Sequence, residues 1–198
     1  MASVIVPFRG ADPKSRLDPL DRGARSTLAA AMLADVLEAA GAVGAVIVVA
    51  VEAPPLPGGV TLVDDPRRGL GAAVRAALDT AADLSLPPPF LVVNADLPCA
   101  TARDLLALAG AVPEGGLALV AAADGTTNAL ALSGEQLFEP VYGSGSAARF
   151  AELAECRRLD APNLRDDVDT LADLARVARR TGANTRRVLP SLRLGAAA

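Results

Sequence analysis

The chain has no histidine and no tryptophan, and among its 198 residues it carries one lysine, one tyrosine, four phenylalanines and two cysteines. Without histidine there is no imidazole to act as a general base, a triad member or a metal ligand. Metal chemistry therefore falls to carboxylates, and positive charge to arginine. Aromatic residues at 3% leave no platform for stacking bases, and a formal net charge of −4 is the wrong sign for a general nucleic-acid binder. Cys99 and Cys156 lack metal-type spacing, which fits a reduced, cytoplasmic protein. No stretch approaches the roughly 18 uninterrupted apolar residues of a membrane span, and the N-terminus lacks a basic-then-apolar export pattern.

Hydrophobic residues nevertheless make up 52% of the chain, so the core must be built of Ala, Val and Leu. Such a core suits an α/β protein with a largely parallel sheet, whose strands are apolar on both faces. The length fits one domain, read as residues 1–180, with a loosely held tail over 181–198. Strands are predicted at Ser3–Pro7, Ala45–Val51, Val60–Val63, Phe90–Asn94, Leu117–Ala121, Ala129–Leu132 and near Arg157–Ala161. Helices are predicted at Asp21–Ala40, Gly69–Asp83, Thr101–Ala111, from Gly143–Ser146 to about Cys156, and at Thr170–Arg180. Strand and helix alternate through the first half, which argues for a doubly wound sheet with right-handed crossovers.

In such sheets ligands bind beyond the carboxyl ends of the strands, and marked residues fall there. Arg9, Lys14 and Arg16 gather in the loop after the first strand, where loop N–H groups, a helix start and three cations favour an anion. A solvated surface turn fits the same residues. Asp96 follows Phe90–Asn94 after a single alanine, so a rigid strand carries a carboxylate to the sheet rim, where it can hold a hard cation or simply cap a turn. Asp166-Asp167-Val168-Asp169-Thr170 reads both as the cap of the last helix and as a source of a second metal ligand. Gly69-Leu70-Gly71-Ala72 lets a ligand approach the backbone at a helix start, but it is not a dinucleotide fingerprint, and no phosphate loop of the Gly-x-x-x-x-Gly-Lys-Ser/Thr type occurs. Gly143-Ser144-Gly145-Ser146, followed by Arg149, reads as an anion nest or as an ordinary capped loop.

Taken in order, Val6-Pro7-Phe8-Arg9, Lys14-Ser15-Arg16-Leu17, Gly69–Ala73, Ala95-Asp96-Leu97-Pro98, Gly125–Leu130, Gly143–Arg149 and Asp167–Thr170 resemble the guanylyltransferases that act on 2-phospho-L-lactate or phosphoenolpyruvate in deazaflavin coenzyme F-420 biosynthesis. The resemblance runs from Val4 to about Leu174. It departs at Arg9, where relatives often have lysine, at Gly71, where they often have asparagine, and at Phe150, where they often have histidine.

The resemblance implies a three-layer α/β/α, GT-A-like nucleotidyltransferase fold with a mostly parallel mixed sheet. It implies Mg2+ on Asp96 and on an acid of the Asp167/Asp169 pair, and it places Lys14 and Arg16, with Asp96, in the catalytic set. Gly69, Leu70, Gly71 and Ala72 would lie beside the nucleotide, while Arg9, Thr127, Gly143, Ser146 and Arg149 would serve substrate binding. The expected partners are GTP and a small phospho-acid, with phosphoenolpyruvate preferred, and neither nucleic acid nor membrane; a homodimer is left open. Another nucleotidyltransferase, such as a molybdenum-cofactor type, and a non-catalytic receiver-like module with Asp96 as its switch acid are the alternatives.

Overall fold

The computed structural model describes residues 1–10, 17 and 20–192. Seven strands form one sheet: β1 (Ala2–Phe8), β2 (Gly44–Ala50), β3 (Val60–Asp64), β4 (Phe90–Val93), β5 (Leu117–Ala121), β6 (Thr127–Leu132) and β7 (Cys156–Arg158). Their order across the sheet is β3-β2-β1-β4-β6-β5-β7. β6 alone runs against the rest, pairing antiparallel with both β4 and β5. The reason is the connection: five residues separate β5 from β6, enough for a hairpin but far short of the dozen or so that a parallel crossover needs.

Helices cover both faces: α1 (Arg22–Gly41), α2 (Leu70–Asp83), α3 (Ala102–Gly110), α4 (Ser146–Ala151), α5 (Pro162–Arg165), α6 (Leu171–Val177) and α7 (Ala183–Val188). Strand periodicity sorts the core into two layers. Val4 and Val6 of β1, Val46 and Val48 of β2, and Leu91 and Val93 of β4 meet α1, α3 and α5. Ile5, Ile47, Val49, Phe90 and Val92 point the other way, toward α2 and α4. Every central strand is thus apolar on both sides, the pattern that the continuous Val/Ile/Leu runs foretell.

A third cluster lies outside the sheet and bears on the site. Leu28 and Met32 of α1 pack with Cys99, Val168, Leu174, Val177 and Leu192. This cluster fastens the acid-bearing segment 166–169 and the C-terminal helices to α1.

The predicted elements hold in number and order up to α3, with ends shifted by a residue or so. Three differences follow. The helix opened by Ser146 ends at Ala151 rather than near Cys156, since Phe150 is anchored in the core and the chain then turns to lay Cys156–Arg158 along β5. The final predicted helix stops at Val177. Residues 181–192, expected as a loose tail, are packed instead: Thr181 and Thr185 are buried, and Leu192 joins the third cluster.

That last packing depends on one buried carboxylate. Asp35, on α1, accepts hydrogen bonds from the N–H groups of Asn184 (2.8 Å) and Thr185 (2.9 Å), capping α7 from a distant part of the chain. A Cβ on Gly182 would overlap the Asp35 carboxyl group, so glycine keeps the approach open. Replacing Asp35 by alanine leaves two inward N–H groups without acceptors, an expected loss of about 2–4 kcal/mol in denaturant unfolding. Amide exchange at Asn184 and Thr185 should accelerate in the same variant; unchanged stability and exchange would show that α7 does not need this cap.

Candidate active site

The carboxyl end of the sheet gathers the marked residues. β4 ends at Val93, and the chain turns through Asn94 and Ala95 to bring Asp96 to the rim. From the other end of the sequence, segment 166–169 arrives after α5 in an irregular, non-helical conformation. Here an i, i+2 spacing separates the side chains: Val168 is buried in the third cluster, while Asp167 and Asp169 come to Asp96. The backbone joins the two segments directly, since the Val168 N–H donates to the Asp96 carbonyl at 3.1 Å. Carboxylate oxygens of Asp96, Asp167 and Asp169 all lie within 4.8 Å of one another.

A polar frame holds this cluster. The Asn94 N–H donates to the Asn128 carbonyl at 3.0 Å, tying the end of β4 to β6. The Asn128 amide donates to the Arg165 carbonyl at 2.9 Å, tying β6 to α5. Neither asparagine was singled out from sequence as a site residue. The available signals were the place of Asn94, two residues before Asp96, and the place of Asn128 within the Gly125–Leu130 stretch that carries the resemblance.

Burial pushes the Asp167 carboxyl up to about 6, and the charges of Asp96 and Asp169 add to the effect, while a hydrogen bond with Asn128 opposes it. Asp166 behaves oppositely. Burial works against its charge, but the hydrogen bond from Arg180 and the charges of Arg176 and Arg180 more than offset that and hold its carboxyl below the usual range. Its partners are Arg176 at 3.0 Å, Arg180 at 2.5 Å and Arg165 at 3.5 Å. The acidic run therefore divides, with Asp166 clamped by arginines and Asp167 and Asp169 committed to the cluster. The bland reading also holds beside the chemical one: Thr170 caps α6 in a reciprocal box with Asp173.

A cavity of about 220 Å³ opens over Asp96 and Asp169 and is also lined by Phe8, Arg9, Asn94 and Leu70. The first strand, the start of α2 and the carboxylates thus share one recess. Gly69 precedes α2 with φ +97°, a left-handed value that favours glycine. Gly71 and Ala72 lie in the first turn of α2 without lining that cavity; a Cβ on Gly71 would overlap Pro140, so in this chain the position serves close packing.

On the far side of β4, the Thr127 and Ser146 hydroxyls meet at 3.0 Å, both buried, where β6 approaches the start of α4. Gly143 and Gly145, at φ +106° and +71°, shape the loop before it. Arg149 turns back on this loop, donating to the carbonyls of Val141, Tyr142 and Ser144. Its guanidinium is thus engaged in bracing the loop. Phe150 is fully buried against Phe138 and Tyr142, with a T-shaped contact to the latter at 5.0 Å, so an apolar ring suits the position better than an imidazole. Lys14 and Arg16 lie outside the described residues.

What the arrangement can do follows from its donors. Three carboxylates are the oxygen ligands a hard divalent cation prefers, and their mutual repulsion is the quantity such a cation relieves. Without metal, Asp167 titrates above its unfolded value of 3.8, so its ionisation costs the folded state stability as pH rises through about 4 to 6. Asp167→Asn should remove that loss. In chelator-treated protein the variant is expected to gain in melting temperature over wild type at about pH 7.5 relative to about pH 4.5; parallel profiles would mean that the carboxylates do not strain one another.

Comparisons with known proteins agree with this geometry. A family profile described as "Guanylyl transferase CofC like" matches residues 2–195. A phosphoenolpyruvate guanylyltransferase of Sphaerobacter thermophilus is 40% identical over 61% of this chain and 56% of its own length. A 2-phospho-L-lactate guanylyltransferase of Halomicrobium mukohataei is 37% identical over 88% of this chain and 84% of its own. A 3-phospho-D-glycerate guanylyltransferase of Phenylobacterium zucineum is 34% identical over 98% and 97%. In fold, the chain matches a Desulfovibrio desulfuricans protein described as a nucleotide-diphospho-sugar transferase, with a TM-score of 0.75 and 18% identity over 97% of both chains. With three clustered carboxylates at the rim of a GT-A-like sheet and a family match from end to end, the chain belongs to the CofC-like guanylyl transferase family.

Proposed function

We propose that this protein transfers GMP from GTP to the phosphate of a phosphorylated three-carbon acid, with release of pyrophosphate, as a step of deazaflavin coenzyme F-420 biosynthesis. The observation that carries the reading is the convergence of Asp96, Asp167 and Asp169 beside a cavity that also contains the end of β1 and the start of α2, in a chain of guanylyl transferase lineage. Phosphoenolpyruvate is the acceptor we favour over 2-phospho-L-lactate and 3-phosphoglycerate. The arginine- and alanine-rich, lysine-poor composition suits a bacterial source of high GC content, where that acceptor is expected. The protein is read as cytoplasmic, acting on two small anions; among the described residues no helix is long and apolar enough to cross a membrane.

The chemistry needs no base. An oxygen of the acceptor phosphate, already anionic near neutral pH, attacks the α-phosphorus of GTP. The bond from that phosphorus to the bridging oxygen of pyrophosphate breaks, and pyrophosphate leaves with the electron pair. A chain without histidine loses nothing in such a step. The obstacle is repulsion: unit charges about 4 Å apart repel by roughly 4 kcal/mol at an effective dielectric near 20.

Asp96, Asp167 and Asp169 are the residues that would hold Mg2+, which when bound supplies the positive charge that draws the phosphates in and orients them. Arg9, which is exposed and lines the cavity, with Lys14 and Arg16, which follow it in the sequence, would meet the triphosphate. Leu70 and the small residues Gly69, Gly71 and Ala72 would flank the nucleoside. Thr127, Ser146 and the Gly143 loop, one strand beyond Asp96, would hold the phospho-acid, with Arg149 keeping that loop in shape through its carbonyl bonds. Two substrates thus arrive from opposite sides of the carboxylate cluster, which suits in-line displacement.

Asp96→Ala tests this directly. Pyrophosphate release from GTP, Mg2+ and phosphoenolpyruvate should fall by at least about 100-fold, with the far-ultraviolet dichroism unchanged. The rise in melting temperature produced by Mg2+ in wild type should vanish in the variant. Near-normal pyrophosphate release by folded Asp96→Ala protein would remove Asp96 from the mechanism. A panel of nucleoside triphosphates against the three phospho-acids, scored by product mass, checks the substrate assignment.

A further inference from the structure

Helix α1 offers two stripes to the carboxyl end of the sheet. Arg22, Ser26 and Ala30, spaced by four, line a second recess of about 380 Å³ beside the loop after β2. Ala29 and Met32 line the cavity that holds Asp96 and Asp169. Arg25 stands one turn before Ala29 on that same stripe. α1 begins at the carboxyl end of the sheet, so Arg25 stands one helical turn nearer that rim than Ala29, which lines the cavity although Arg25 itself does not.

Arg25 is half-buried, and its Nε is closed to solvent with no hydrogen-bond partner among the described residues. Other arginines around the site are committed elsewhere: Arg149 to loop carbonyls, and Arg165, Arg176 and Arg180 to Asp166. A buried N–H without an acceptor is the exception in folded proteins. One helical turn from a cavity lined by Arg9, Asp96 and Asp169, the exception points to an acceptor that arrives with the ligand.

We propose that Arg25 is a binding residue for the pyrophosphate portion of the nucleoside triphosphate. Which of the two anionic substrates it meets is decided by the sheet order. α1 packs over β1 and β2, whereas Thr127 and Ser146 lie on β6 and α4, with β4 and Asp96 between them. Arg25 is therefore on the triphosphate's side of the carboxylates and remote from the phospho-acid. As the bond between the α-phosphorus and its bridging oxygen breaks, the departing pyrophosphate gains a full negative charge on that oxygen. The fork of Arg25 N–H donors is matched to such a group. A rigid helix carries it, so little ordering is needed when the ligand binds. The assignment rests on the guanylyltransferase reading and adds to it the group that receives the leaving anion.

Calorimetric titration of wild type, Arg25→Met and Arg25→Lys with inorganic pyrophosphate, GTP and phosphoenolpyruvate, each with Mg2+, tests the assignment. Arg25→Met should weaken pyrophosphate and GTP binding by about 10- to 100-fold, raise KM for GTP, and leave phosphoenolpyruvate affinity within about twofold. Arg25→Lys, which keeps the charge but loses the Nε–H donor, should fall between the two. Folded Arg25→Met protein that binds pyrophosphate as tightly as wild type would overturn the assignment, as would equal losses for pyrophosphate and phosphoenolpyruvate. If the methionine variant does not fold, Arg25→Lys carries the same comparison, and wild-type affinity for pyrophosphate in that variant overturns it. A wild type that binds neither GTP nor pyrophosphate would instead sink the guanylyltransferase reading itself, so the two failures are distinguishable.

Discussion

Like charges crowded at the rim of the sheet are the constraint around which the rest is arranged. Asp96, Asp167 and Asp169 stand within 4.8 Å of one another, and burial, reinforced by the charges of the other two, raises the cost of ionising Asp167. Folding alone gives no reason to accept that cost. The fold imposes it through a main-chain bond from Val168 to Asp96 and through burial of Val168 between its two acidic neighbours. The packing of a valine thus holds its two acidic neighbours beside Asp96 at a cost that falls on Asp167, a trade in stability that is expected where chemistry needs a site prepared in advance.

The scaffold behind the cluster separates charges by task. Asp166 is one residue from Asp167, yet three arginines hold it on the outside of the segment. That clamp anchors α5 and α6 on either side of the acids, and the cap by Thr170 and Asp173 sets where α6 begins. Farther off, Asp35 caps α7 and keeps the C-terminal residues on α1, the helix that also lines the cavity. The site therefore depends on residues from distant parts of the chain.

Much of this was legible from sequence because it is local. Continuous Val/Ile/Leu runs announced β1, β2 and β4, and an acidic residue soon after such a run announced Asp96. Thr101 and Thr170 could be read as caps from their place at helix starts, and the structure closes both as reciprocal boxes with Asp104 and Asp173. What escaped the sequence is what distance supplies. α7 has six residues and no side-chain cap of its own; its cap comes from Asp35, far back in the chain. α5 is a single turn begun by Pro162, too short to show a period. Arg149 looked like an anion ligand by its place near two glycines, yet its reach back to Val141, Tyr142 and Ser144 depends on loop geometry that spacing does not encode. The departures at Gly71 and Phe150 found steric and packing reasons only once Pro140 and the Phe138–Tyr142 rings were in view.

The central claim is that the three aspartates form one cation site facing the nucleotide. Diffraction from crystals grown with Mn2+ and GTP, recorded where manganese scatters anomalously, tests it most directly. The account predicts an anomalous peak within bonding distance of carboxylate oxygens from Asp96 and from at least one of Asp167 and Asp169, and in contact with a phosphate oxygen. A nucleotide bound with no ion at these carboxylates, or an ion held elsewhere in the chain, would contradict it.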